Sequence, residues 1–311
     1  MTPLTGSTNG RAGELLEIKK GDREAIVTEQ GGNLFKARWA GMDLLNTVND
    51  DGYTSGGSHG AVLMPWPGRI QKGAYQWGDQ TYQLPINEVA KQSAIHGITR
   101  WLTWRVTEHL ADSVTLSCRM LAMPGYPFPL QLEQSYRLQD NELEISVTAT
   151  NIGAKAAPFG YGAHPYFATG TPTVDESVLQ LGAASYFETH QDLSPKVPPL
   201  PVGGTPLDFR DPTPVGNIEL DVTLTDLARD REGRATANFR SPDGAVSITC
   251  KYDESIKYLQ VFTGDTLSSH RREGLAIEPY SCAPDAFNNG LGLIRLAPGE
   301  STRLRWTISA E

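Results

Sequence analysis

Side chains that alternate apolar and polar at every second residue constrain this chain more than any other feature, because that period places one set of side chains on one face of an extended strand. In "SVTLSCRML", Val114, Leu116 and Cys118 alternate with polar neighbours. "QSYRLQDNELEISVTAT" carries one alternating run, the turn residues Gln139, Asp140 and Asn141, and a second run through Leu143, Ile145 and Val147, which predicts a hairpin. "GAVSITCKYD", "YLQVFTGD", "GLAIEP" and "STRLRWTISA" carry the pattern towards the C-terminus. No window sustains the i, i+3, i+4, i+7 spacing of an amphipathic helix over three turns. The chain therefore reads as all-β, a large antiparallel β-sandwich.

The 311 residues fit a single domain of this class, with residues 1–13, "MTPLTGSTNGRAG", expected to be a flexible lead-in. The 31 glycines and 21 prolines are spread through the chain as turn punctuation rather than gathered in a linker. No internal repeat argues for a propeller or β-helix. Asp192 to Pro214, "DLSPKVPPLPVGGTPLDFRDPTP", is too proline-rich for a central strand and too long for an idle connection. It reads as an ordered surface loop, either a plain excursion or the cover of a site mouth.

A net charge of −9 and a pI near 5.2 speak against nucleic acid or an anionic membrane as partner, since both demand concentrated positive charge. The polar start has no apolar signal core, and no apolar run is long enough to span a bilayer, so a cytoplasmic location is expected. Cys118, Cys250 and Cys282 form neither an even framework nor a CxxC pair, and Cys118 and Cys250 read as small core residues in a reducing compartment.

Four segments place polar, chemistry-bearing groups in apolar company: "PWPGRI" with Arg69, "IHGITRW" with His96, "AHPYF" with His164, and "AIEPYSCAPDAF" with Glu278. His164 precedes a proline, which biases its backbone to the extended region. In "GLAIEPY", Leu275 and Ile277 leave Glu278 on the opposite face, where it is either a solvated carboxylate or one turned into a pocket beside Tyr280. Pro279 is expected to end that strand.

In order, "PWPGRI", "IHG", "YGAHPYF", "ELDVTLTDL", "LQVFTGD" and "EPYSCAPDAFN" make the chain resemble the aldose 1-epimerase family, the galactose mutarotase-like enzymes, from about Glu14 to Thr307. The resemblance implies that family's large β-sandwich and an isomerase acting on a monosaccharide without metal or organic cofactor, as a monomer or homodimer. Glu278 matches the general base and His164 the general acid; Arg69, His96 and Asp221 match positions that hold sugar hydroxyls or assist charge placement. Near Asp221, Glu219 and Asp226 leave the register open. His59, His109, His190 and His270 match no catalytic motif. Trp66, Tyr166 and Phe287 are candidates for the aromatic wall that a pyranose face requires, or for core.

The local sequence "MPWPGRI" departs from the galactose-type pattern and is similar to a subgroup associated with less common sugars, sulfoquinovose among them. Arg100, Arg271 and Arg272 would suit a sulfonate or phosphate substituent, or are surface charges on turns. Three rival readings stand beside this: a sugar-binding sandwich without catalysis, a glycoside hydrolase with Asp221 and Glu278 as its carboxylate pair, and a metal site using His96, His164 and a carboxylate.

Overall fold

The computed structural model describes residues 10–47, 52–53 and 57–311. Among the described residues, two large antiparallel sheets dominate. In the nine-stranded sheet, Ser113–Met120, Leu130–Leu138, Leu143–Asn151 and Ser301–Ala310 are consecutive neighbours, followed by Ser247–Tyr252 and Ala235–Arg240. The 130–138 and 143–151 strands pair as the predicted hairpin, Tyr136 opposite Ile145, and Gln139 N–H closes the turn on the Glu142 carbonyl at 2.8 Å. Along Leu143–Asn151 every second side chain is buried and the others are half-buried, which is the two-residue period realised as one face on the core and one towards solvent.

The eight-stranded sheet has Asp221–Leu227, Tyr258–Phe262 and Leu275–Tyr280 at its centre. Leu259, Val261, Leu275 and Ile277 point into the core shared with the nine-stranded sheet, where they join Ile145, Leu304 and Trp306. Trp306 Nε1–H donates to the buried Tyr161 hydroxyl at 2.9 Å, a polar tie within that interior. A four-stranded sheet formed by residues 15–43 contributes Leu16, Ile18 and Val27 to the same core.

Two expectations need correction. Pro279 does not end its strand, which runs to Tyr280 with Leu259 opposite the proline. The Tyr280 carbonyl accepts from Lys257 N–H, so the neighbouring Pro279 turns its backbone the other way. On that side the ladder is interrupted between Gly162 opposite Tyr280 and Tyr166 opposite Ala276, and the missing N–H leaves no gap in the bonding. Residues 1–9 of the expected flexible lead-in lie outside the described residues. Ala12, however, is buried and its carbonyl accepts from Gln30 N–H at 2.9 Å.

The 192–214 segment contains only two-residue strands, at Leu200–Pro201 and Thr213–Pro214, between turns. No helix among the described residues is long and apolar enough to cross a membrane. Cys118, Cys250 and Cys282 are free and buried.

Ile145 is fully buried at the centre of the core, so Ile145→Ala should destabilise the fold by about 2–5 kcal/mol. Urea unfolding checks this, and a loss below about 0.5 kcal/mol would mean that the sheet is not packed there.

Candidate active site

Alternation places Gln260 opposite Glu278 on neighbouring central strands, with Thr223 opposite Gln260 one strand further on. These side chains share the face of the eight-stranded sheet that turns away from the core. Together with Asp221 and Tyr280 they line a cavity of about 230 Å³ that is also walled by Arg69, His96, His164 and Tyr166. That is below the 300 Å³ or so at which drug-sized pockets begin, a size suited to one small polar ligand.

Glu278 is 1% exposed and His164 5%, and Nε2 of the histidine lies 3.4 Å from Oε1 of the carboxyl group. The Tyr280 hydroxyl donates to Glu278 Oε2 at 2.7 Å. Burial pushes Glu278 well above the ordinary carboxylate value, and the nearby Asp221 adds to this, whereas Tyr280 and Arg69 oppose it. Burial likewise pulls His164 well below the ordinary imidazole value, assisted by His59 and Arg100. A carboxylate beside a histidine favours its charged form, but here the desolvation of the buried ring outweighs that attraction.

His164 is pinned through its backbone: its N–H donates to the Ala61 carbonyl and its own carbonyl accepts from Gly60 N–H, both at 2.9 Å. Its ring stacks on Tyr166, with centroids 4.9 Å apart and planes 16° from parallel. His59 stacks on the opposite face of Tyr166 at 3.8 Å, so this histidine is a buried support of the site wall.

His96 has φ = +63°, the left-handed region that side chains rarely adopt. Two bonds to Gly68 hold it there: His96 N–H donates to the Gly68 carbonyl at 2.9 Å, and Gly68 N–H donates to His96 Nδ1 at 3.2 Å. Burial, first, and the neighbouring His164 keep the His96 ring well below its ordinary pKa. A neutral ring that accepts at Nδ1 carries its hydrogen on Nε2, so His96 is a fixed donor.

Arg69 Nε and Nη2 donate to the two oxygens of Glu88 at 2.8 and 2.9 Å. Burial pulls its pKa down, but Glu88 and Asp221 more than offset this, and the guanidinium stays charged. Asp221, paired opposite Phe262, lines the cavity from an exposed position and accepts from Gln260 Nε2 at 2.6 Å; Glu219 and Asp226 do not line it.

The other candidates divide. Tyr166 lines the cavity, but Trp66 and Phe287 do not. These two pack edge to face at 5.8 Å within the core, where the Trp66 indole N–H is satisfied by the Ala94 carbonyl at 3.2 Å. Trp66 is therefore core rather than a sugar contact. Arg100 lines the cavity; Arg271 is exposed outside it, and Arg272 is consumed by Asp175 at 2.7 Å and Asp265 at 2.8 Å. Of the 192–214 segment, Leu193 and Pro195 reach the mouth. Among the described residues, no three His, Cys, Asp or Glu side chains are grouped as metal ligands.

Sequence reasoning missed Glu88, Gln260 and the role of Tyr280. A signal existed for Gln260: in "YLQVF" it is the one polar residue of an otherwise apolar, buried strand.

The β-sandwich thus presents a buried carboxyl–imidazole pair, an ion-paired arginine and a histidine that donates from Nε2 to one small cavity. A family profile described as aldose 1-epimerase matches residues 14–309, and the chain belongs to that family. It is 33% identical over 310 residues to the uncharacterized Escherichia coli protein YihR, covering 96% of this chain and 93% of that one. To human galactose mutarotase it is 27% identical over 172 residues, 53% of this chain and 49% of that protein. The fold is shared with the crystal structures of a Caenorhabditis elegans aldose epimerase homologue (TM-score 0.86, 20% identity, 96% and 98% of the chains) and of galactose 1-epimerase from Lactobacillus acidophilus (TM-score 0.82, 22% identity, 98% and 97%).

Gly97 has φ = +60°, and a Cβ there would lie 2.0 Å from the Met64 carbonyl oxygen. Gly97→Ala should cost about 2 kcal/mol or more. Gly78→Ala is the control, with φ = +59° but open space around it, and should cost about 1 kcal/mol. Equal melting temperatures for the two variants would refute the close approach.

Proposed function

We propose that this chain is a mutarotase that interconverts the α and β anomers of a free monosaccharide. The observation that carries the reading is the buried Glu278–His164 pair, 3.4 Å apart, facing one cavity of single-sugar size. Opening a pyranose requires a proton to leave the anomeric hydroxyl and another to reach the ring oxygen. The carbonyl carbon then rotates and the ring recloses on its other face. Glu278 takes the first proton as base and His164 gives the second as acid, and reclosure restores both.

With one proton between them, the pair has a working form in which Glu278 is ionised and His164 charged. Transfer from Oε1 to Nε2 produces that form, in which the Arg69 charge stabilises the Glu278 anion while disfavouring the charged imidazole. His96 Nε2–H and Arg69 serve as donors to sugar oxygens, Asp221 and Gln260 orient hydroxyls, and Tyr166 supplies the apolar wall. The cytoplasm, where the buried thiols stay reduced and free sugars are processed, suits this role.

Anomer exchange measured by NMR on a panel of aldoses is the decisive experiment. Glu278→Gln and His164→Asn should each lower the rate by about 10²- to 10⁴-fold with the fold intact. A variant that exchanges anomers at the parent rate would remove its residue from the mechanism. Binding with no acceleration of any sugar would favour a non-catalytic sandwich. The pH profile should be a bell whose limbs belong to the pair. On the acid side a second proton enters on His164, whose pKa is lowered, so that limb lies below the ordinary histidine value. On the alkaline side the proton leaves Glu278, whose pKa is raised, so that limb lies above the ordinary carboxylate value.

A second reading, an anionic sugar, is favoured by Arg100. It lines the cavity with no carboxylate partner among the described residues; its Nη1 donates to Ser58 Oγ at 2.5 Å, and burial brings its pKa to about 10, leaving it charged. A sulfonate or phosphate on the sugar would meet that charge. Arg100→Gln should then raise KM about tenfold or more for a sulfonated or phosphorylated hexose and leave a neutral hexose little affected. Equal effects on both would exclude this reading.

A further inference from the structure

We infer that Tyr280 is the positioning residue of the base: its phenol holds Glu278 by Oε2, so that Oε1 alone is the atom that exchanges protons. The inference deepens the proposed mutarotase reading and rests on it for the role of Glu278. Residues two apart on a strand share a face, and with Gln260 opposite Glu278 and Tyr258 opposite Tyr280 both side chains are directed into the cavity. Pro279 between them fixes its own φ and limits the rocking of one side chain against the other.

The Tyr280 ring is 1% exposed and lies against Gly162, where a Cβ would stand 2.8 Å from it. The glycine of "YGAHPYF" is thus the space that admits this ring. Burial and the adjacent Glu278 hold the phenol well above its ordinary pKa, so it remains a donor throughout the working range and is not itself a base.

Several groups face the Glu278 carboxyl. Arg69 approaches from its own short strand, Asp221 from the Asp221–Leu227 strand, His164 and Tyr166 from "YGAHPYF", and Tyr280 from the same strand as Glu278. Among the described residues, only Tyr280 makes a hydrogen bond to the carboxyl, at 2.7 Å. With Oε2 engaged as an acceptor, the transferable proton has its place on Oε1, the oxygen 3.4 Å from His164 Nε2. A donor held at Oε2 also stabilises the anion in a cavity that otherwise disfavours it. Without it, Glu278 retains its proton to higher pH and the working form of the pair becomes rarer.

The test uses protein labelled with ¹³C at the glutamate carboxyl, with the Glu278 signal assigned by its loss in Glu278→Gln. In Tyr280→Phe the Glu278 titration midpoint should move up by about one pH unit or more. The alkaline limb of kcat/KM should move with it, kcat at neutral pH should fall about tenfold, and KM should stay within about twofold. Incorporation of 3-fluorotyrosine at position 280 keeps the shape, makes the phenol a stronger donor and should move the midpoint down. A midpoint unmoved in either folded protein would overturn the inference, whatever happens to the rate. If Tyr280→Phe does not fold, the fluorotyrosine protein alone decides. Full activity in Glu278→Gln would instead remove the base reading, while the carboxyl titration would still report on the contact.

Discussion

Taking a carboxylate out of water is the constraint on which the rest of this structure depends. Glu278 sits on a central strand, sealed on one side by the core and on the other by a cavity wall, where its anion is strongly disfavoured. Each neighbour answers that cost differently. Tyr280 gives a hydrogen bond, Arg69 a charge, and His164 a place to which the proton can move. Arg69 is in turn gripped by Glu88, so its position does not depend on a ligand.

The fold was legible because the two-residue period repeats without a competing helical pattern. The hairpin at 130–151 came out as read, and so did the strands at the C-terminus, since one-sided burial leaves a strand only one choice of face. Pro279 misled for a local reason. A proline ends a strand only where its absent N–H would be needed, and sequence does not reveal that the neighbouring ladder is interrupted there.

The site was legible in part. His164, His96, Arg69, Asp221, Glu278 and Tyr166 converge on one cavity although they are separated by up to about two hundred positions, because sheet pairing rather than proximity in sequence assembles them. Trp66 adjoins Arg69 through two intervening residues and nevertheless packs into the core: motif proximity carries no information about which face a side chain takes. The direction of the His164 shift was also beyond sequence, since it depends on how completely the ring is buried, a property of the assembled walls. Glu88 and Gln260 were hidden because neither sits in a motif; each acts only through the partner that the fold brings to it.

The Ser301–Ala310 strand lies between Leu143–Asn151 and Ser247–Tyr252 in the interior of the nine-stranded sheet, not at its rim. During synthesis the two halves of that sheet are therefore made long before the element that joins them. Each presents an unpaired backbone edge until then, a standing invitation to pair with another chain. The order of the sequence thus makes the nascent protein vulnerable along a seam that is wholly hidden once folding is complete.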